Sequence, residues 1–216
     1  MNQNNDYDFR QNISDYMETC PDKEVRIINA AIQIFSEKGF ENTKTKEIAE
    51  KAGIAEGTIF RYFPSKGAIL EKMVPLMIKV IQPKLEKPIR DILDEQKDSS
   101  IEEILAIILT DRLSIMHKNK LFFKSVLPAV VHRPKLLKQL NDSLIPAIKM
   151  YVSQLLETAQ QRGEISSEMT VDMLFNQLFG FIISYSLFNG SMDNAEKDVR
   201  TYLKYAMKGW QHDAHH

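Results

Sequence analysis

Several side chains able to contact a polyanion fall within one short stretch of the chain. Lys44, Lys46, Arg61 and Lys66 are cations, and Thr58 and Tyr62 carry hydroxyls that can donate to phosphate oxygens. Gly57 has no side chain to obstruct close approach of a helix to a sugar–phosphate wall or a thymine methyl. Glu56 repels phosphate but can accept a hydrogen bond from a cytosine amino group. Phe60 adds a ring to the same segment. Nothing comparable to a catalytic constellation stands near these residues. The chain has no Gly-rich phosphate loop, serine elbow or His-Glu-x-x-His pair. Its five histidines are His117, His132, His212, His215 and His216, and only those in the tail lie close together. Neither a metal nor another cofactor is expected, and an enzyme is the least supported reading.

The residues that must position these groups have a pattern of their own. Ile48 and Ala49 face inward from a short helix over about 44–51, with Thr43 as its expected N-cap. Ala49 is small where two helices would cross, and Gly53 suits a backbone angle that costs side-chained residues. Ile54 and Ile59 would pin a second helix, about 55–62, onto the first, and Phe63 is expected in the core. Pro64 interrupts, and Ser65 can cap the next helix. This is the skeleton of a helix-turn-helix, which can lay the N-terminal end of its second helix into a major groove. A helical hairpin buried in a bundle is the alternative.

The rest of the chain reads as helix. Val25, Ile28, Ala31, Ile32 and Phe35 recur at helical spacing, and Gly39 closes that helix. A long helix from Lys66 carries Met73 and Met77, with a bend expected at Pro75 and an end near Pro83. Further helices are expected from Ser99 or Ser100 to Met116, over Phe122–Val131, from Pro134 to Gly163, and over about 170–188 and 194–208. No stretch alternates like a strand. The fold class is therefore all-α: an N-terminal three-helix helix-turn-helix domain, then a larger antiparallel helical domain. The expected division is an arm over 1–21, a DNA-binding domain over 22–68, a helical domain over 69–210 and a frayed tail over 211–216.

Composition narrows the partners. The 216 residues carry 28 basic and 29 acidic side chains, a balance that argues for a local basic patch rather than bulk coating of nucleic acid. Cys20 is the only cysteine, so no intramolecular disulfide or cysteine cluster can form. The N-terminus lacks the order of a signal peptide, and the most apolar segment, 169–189, is interrupted by polar residues. A cytoplasmic protein with no membrane partner is the expectation.

The segment from Thr43 to Leu70 resembles the DNA-binding signature of the TetR family of bacterial transcriptional regulators, and the helix ending Ile34–Phe40 resembles that family's first helix. The likeness covers residues 22–70. It implies a homodimeric regulator, usually a repressor, whose C-terminal helices bind a small ligand that releases operator DNA. It assigns phosphate or base contacts to Lys44, Thr58, Arg61, Tyr62 and Lys66. Two positions depart from the pattern: Phe60 stands where the family often has tyrosine, so its ring is expected only to pack, and Glu56 where a polar or basic residue is common.

Beyond residue 70 the likeness fades, and residue types carry the reading. Met73, Met77, Met116, Phe123, Leu127, Tyr151, Phe175 and Phe179 are candidates for an adaptable apolar pocket, against the plain alternative that they are core. Between Asp111 and Asp142 every charged residue is basic, from Arg112 to Lys138. A solvated face explains that run, and so does an entrance for an anionic head group such as that of an acyl thioester. Leu174, Leu178, Phe181, Ile182, Tyr185, Val199, Tyr202 and Leu203 are candidates for a four-helix dimer interface. A DNA-binding protein that senses nothing remains the alternative function.

Overall fold

The computed structural model describes residues 20–96, 98–188 and 191–211. The expected arm over 1–19, the Asn189–Gly190 turn and the tail beyond Gln211 lie outside the described residues. Every regular element among the described residues is helical: α1 (Asp22–Lys38), α2 (Thr45–Ala52), α3 (Glu56–Tyr62), α4 (Lys66–Glu95), α5 (Ile101–Lys118), α6 (Lys120–Val131), α7 (Pro134–Gln139), a π-helical turn (Leu140–Leu144), α8 (Ile145–Gln161), α9 (Val171–Phe188) and α10 (Ala195–Trp210). They group into two compact units that do not follow chain order, because residues 119–144 join the N-terminal helices up to Lys84.

In the first unit α1 is a central strut. Ile27, Ile28, Ala31, Ile32 and Phe35 are buried, and α1 packs against both α2 and α6. Asp22 and Glu24 stand in its first turn and Lys38 in its last, each complementing the helix dipole. Gly39 ends it with φ 86° and donates its N–H to the Phe35 carbonyl at 2.9 Å. Thr43 is not the cap of α2. Its hydroxyl donates back to the Gly39 carbonyl at 2.7 Å, and Lys44 occupies the cap position. There the Glu47 carboxylate accepts the Lys44 N–H at 3.0 Å, so an acidic side chain closes the helix start from within.

α4 runs unbroken through Pro75, Pro83 and Pro88. Each proline lacks the N–H that would bond one turn back, yet the end expected near Pro83 does not occur. The long helix expected from Pro134 is instead interrupted by the π-helical turn. Pro146, just beyond it, cannot donate to the residue four earlier, and a wider turn is one way a helix accommodates such a gap.

The second unit is built on α5, which packs against α9 and α10, while α8 packs on α9. Ile101, Ile104, Leu105, Leu109 and Leu113 of α5 meet Leu174, Leu178, Val199 and Leu203 in one buried cluster. Polar links register the helices. Arg200 of α10 donates from Nη1 and Nη2 to the Glu103 carboxylate of α5 at 2.7 and 3.0 Å. The Tyr185 hydroxyl donates to Asp198 at 2.9 Å, and Trp210 Nε1 donates to Gln177 at 2.7 Å. Glu164 accepts the first N–H of α5 at 2.6 Å.

By length and composition α9 could cross a membrane, with a mean hydropathy of 1.3. In this fold its Leu174, Phe175 and Leu178 edge faces the core. Leu203 is fully buried in that core. Leu203→Ala therefore lowers stability by about 2–5 kcal/mol, the usual cost of a large-to-small core change. Urea unfolding at fixed protein concentration checks this, and a midpoint equal to wild type contradicts the packing described.

Candidate nucleic-acid interface

The geometry of α2 and α3 starts from one residue between them. Gly53 sits in the left-handed region, φ 64° and ψ 41°, and donates its N–H to the Glu50 carbonyl at 3.1 Å. That conformation favours glycine, and a Cβ there would lie 2.8 Å from Arg26 Nη2, so the guanidinium would have to shift. The same guanidinium donates to the carbonyls of Ala52 and Gly53, the latter at 3.0 Å. Arg26 thus closes the C-terminal end of α2 from α1, where unsatisfied carbonyls need donors. Its only local signal in the sequence is an exposed pairing with Asp22 at 3.7 Å, which any surface arginine could make.

Beyond the turn, Ile54 donates its N–H to the Ala49 carbonyl at 3.0 Å and is half-buried. Ile48, Ala49, Ile59 and Phe63 are buried, as the helix-turn-helix reading required. Phe63 takes an extended conformation before Pro64 and ends α3. Ser65 Oγ then accepts the Ala68 N–H at 3.1 Å and opens α4. Ile59 alone of α3 is buried, so the remaining helix surface stays outside.

That outer surface carries most of the expected contact residues. Glu56, Gly57, Phe60 and Arg61 are exposed, and Thr58 and Tyr62 are partly so. A Cβ added at Gly57 would meet nothing within 4 Å. The Phe60 ring, expected only to pack, is 50% exposed, because the inward position of this one-sided helix is taken by Ile59. Lys44 and Lys46 are exposed near the start of α2, with Lys46 4.0 Å from Glu50, a separation too loose and solvated to hold it. Thr45 was not foreseen. Its hydroxyl donates to Glu56 Oε1 at 2.8 Å, which joins the first residues of α2 and α3 and orients the carboxylate. Lys66 departs from the expected role: its ammonium is turned onto backbone carbonyls of its own unit, as described below.

The remaining assignments are corrected by burial. Leu174, Leu178, Tyr185, Val199 and Leu203 belong to the core of the second unit and cannot also form a dimer face; Phe181, Ile182 and Tyr202 are partly buried beside them. Phe181 and Tyr202 stack on each other at 4.2 Å. The candidate pocket residues fall in both units, with Met73, Met77, Phe123 and Leu127 in one and Met116, Tyr151, Phe175 and Phe179 in the other. Met73, Met77, Tyr151 and Phe175 are buried, Met116, Phe123 and Leu127 half-buried, and Phe179 exposed. A cleft of about 610 Å³ in the second unit is lined by Glu102, Ala106, Asp193, Glu196, Lys197, Arg200, Thr201, Leu203 and Lys204, none of them a pocket candidate.

The basic run is not one continuous cationic face. Arg112 is buried with Asp111 at 3.1 Å, Lys135 pairs with Glu71 at 2.7 Å and Lys138 pairs with Asp142. Burial pushes the Asp111 carboxyl up, against the pull of Arg112 and Lys118. Among the described residues no group of histidine, cysteine, aspartate and glutamate could hold a metal ion.

Residues 27–73 match the family of bacterial regulatory proteins called the tetR family. The chain is similar to the fatty acid metabolism regulator protein of Bacillus subtilis (strain 168), 26% identical over 74% of this chain and 79% of that one. It is 27% identical to the HTH-type transcriptional regulator UidR of Escherichia coli (strain K12), over 73% and 78%. In three dimensions it resembles the regulator FadR from Bacillus subtilis in complex with stearoyl-CoA, with a TM-score of 0.57, 23% identity, and coverage of 82% and 96%.

The two glycines of this region should respond oppositely to a methyl group. Gly53→Ala forces a left-handed conformation on an L-residue, at about 1–2 kcal/mol, and displaces Arg26. Gly57→Ala, in open space on a helix, stabilises by about 0.5–1 kcal/mol. Thermal unfolding of both variants checks this; a similar change for the two would contradict the turn geometry.

Proposed function

This chain belongs to the TetR family of bacterial regulatory proteins, and we propose that it is a repressor that leaves a palindromic operator when a small effector binds. Regulation of transcription through DNA binding follows from membership. Palindromic recognition and the effector's chemistry are our reading.

One observation carries the DNA-reading face: a short helix braced by a single buried residue, Ile59, which leaves Thr58, Phe60, Arg61 and Tyr62 with access to solvent around the bare Gly57. Hydroxyls and cations at this position would fix register on phosphates, while Glu56, held by Thr45, would accept from a base edge. Lys44 and Lys46 would add backbone contacts from α2. Residues 22–68 form the DNA-binding module in this reading, and the helices after it bind effector and partner.

A palindrome needs two recognition helices separated by roughly 34–36 Å, one turn of DNA, or a multiple of it. A homodimer supplies them. The interface is proposed on the parts of α9 and α10 not consumed by the core, where Met173, Phe179 and Tyr205 are exposed.

For the effector we propose an amphipathic molecule with an acyl chain and an anionic head. The methionines and phenylalanines that the chain carries beyond residue 70 support an adaptable apolar site. The name of the Bacillus subtilis fatty acid metabolism regulator, and the stearoyl-CoA bound to FadR, support the chemical class. The effector works by preferring a dimer population whose recognition helices do not match the operator. A preference of about 2.7 kcal/mol shifts that equilibrium about 100-fold. The protein would act in the cytoplasm, without a membrane partner.

Gel shifts at fixed salt with duplexes selected by the wild-type protein test this. Thr58→Ala and Tyr62→Phe each weaken binding by about 0.5–1.5 kcal/mol, the net worth of a hydrogen bond. A long-chain acyl-CoA releases the wild-type complex and free CoA does not. Retention of DNA whatever acyl-CoA is added would leave a DNA-binding protein with another effector or none.

A further inference from the structure

In sequence, Lys66 stands with the cations that grip a DNA backbone, but the structure turns it inward. Its ammonium donates to the carbonyl oxygens of Phe40, Glu41 and Thr43, the last two at 3.0 Å. An ammonium has three N–H donors, and these acceptors can engage all of them. The same nitrogen lies 4.5 Å from the centre of the Phe40 ring. Burial lowers the Lys66 pKa, with the nearby charge of Arg133 acting in the same direction and Glu41 opposing.

Arg133, at the junction of α6 and α7, completes the arrangement. Its guanidinium lies 4.5 Å from the centre of the same ring, and its Nη1 donates to the Ala129 carbonyl at 2.6 Å. The ring is only 2% exposed and meets Phe35 of α1 edge-on at 5.1 Å. Two cations, one from the start of α4 and one from the α6–α7 junction, therefore converge on one buried aromatic side chain. Contacts of this kind gain strength when desolvated.

The carbonyls bound by Lys66 belong to the segment that leads from α1 into α2. Fixing that segment fixes where α2 begins, and α3 follows from α2 through the Gly53 turn. We propose that Lys66 and Arg133 are positioning residues for DNA reading: clamped on Phe40, they hold residues 40–44, and through them α2 and α3, without touching phosphate themselves. Lys66 anchors the segment to the first turn of α4, and Arg133 anchors it to α6 and α7. The inference rests on the DNA-binding reading above and departs from it only in the role of Lys66.

The test compares full-length wild type, Lys66→Gln, Arg133→Gln and, as a phosphate-contact control, Lys44→Gln. Each binds, by fluorescence anisotropy, a duplex that the wild type selects from a random library and a scrambled duplex. Titrations run across a salt series, with the active fraction counted by stoichiometric titration. Losing hydrogen bonds to a charged group lowers affinity for the selected duplex about tenfold to a hundredfold in Lys66→Gln. Arg133→Gln loses a smaller factor in the same pattern. In both, affinity for the scrambled duplex and the dependence of log affinity on log salt stay as in wild type.

Lys44→Gln behaves differently, losing both affinities together and about 0.9 of salt slope per half-site. Should Lys66→Gln show that signature instead, Lys66 is a phosphate contact and the proposal is overturned. Unchanged affinity for the selected duplex in both clamp variants overturns it as well. If Lys66→Gln does not fold cooperatively, Arg133→Gln decides by the same criteria. A wild type that selects no duplex defeats the DNA-binding reading itself, and this inference with it.

Discussion

The left-handed turn at Gly53, roofed by the Arg26 guanidinium, is the constraint on which the reading surface depends. It turns the chain in the space of three residues and sets α3 against α2, with Ile48, Ala49 and Ile59 buried beside it. Because Arg26 comes from α1, the turn is tied to the strut that also packs against α6. A side chain at Gly53 would strain the backbone and evict that guanidinium together. One atom group therefore governs the angle at which everything on the outside of α3 is presented.

The same logic explains why the outer face of α3 can be so bare. A seven-residue helix has little stability of its own, since nucleation outweighs propagation at that length. It persists here because Ile59 is buried and because Thr45 and Glu56 tie its first residue to the first residue of α2. With support from one side and from its start, the helix is free to expose Phe60, Arg61 and Gly57. In the second unit the balance is reversed. α5 is buried along much of its length and holds α9 and α10 by dense aliphatic packing, with Arg200 and Glu103 fixing register at the surface.

Much of this was legible in the chain itself. Helical spacing of Ile28, Ala31, Ile32 and Phe35, the Gly39 stop, and the Pro64–Ser65 break each act through neighbouring residues, so local pattern suffices to read them. The small Ala49, the Gly53 turn and buried Ile59 were legible for the same reason. What escaped the reading depends on groups distant in sequence. Arg26 meets Gly53, Lys66 meets Phe40, and Arg133 meets that ring from still farther along the chain. A lysine looks the same in sequence whether it faces solvent or three carbonyls. Apolar faces mislead in a related way: Leu174, Val199 and Leu203 have the periodicity of an interface, but the chain's own helices cover them first. Proline was also overread, since helix propensity competes with the packing of a long helix and loses to it in α4.

The central claim is that the Gly57 side of α3 enters a major groove, and a probe at that residue tests it most directly. A Cβ there meets nothing within 4 Å, so Gly57→Cys, in a chain with Cys20→Ser, can carry an iron–EDTA cleavage group on the reading face. With DNA selected by the protein, the account predicts strand cleavage centred in the major groove of each half-site, with centres separated by roughly 34–36 Å or a multiple of that distance. Bound DNA that is left uncut from this position, while the same probe attached in the second unit cuts it, would contradict the account.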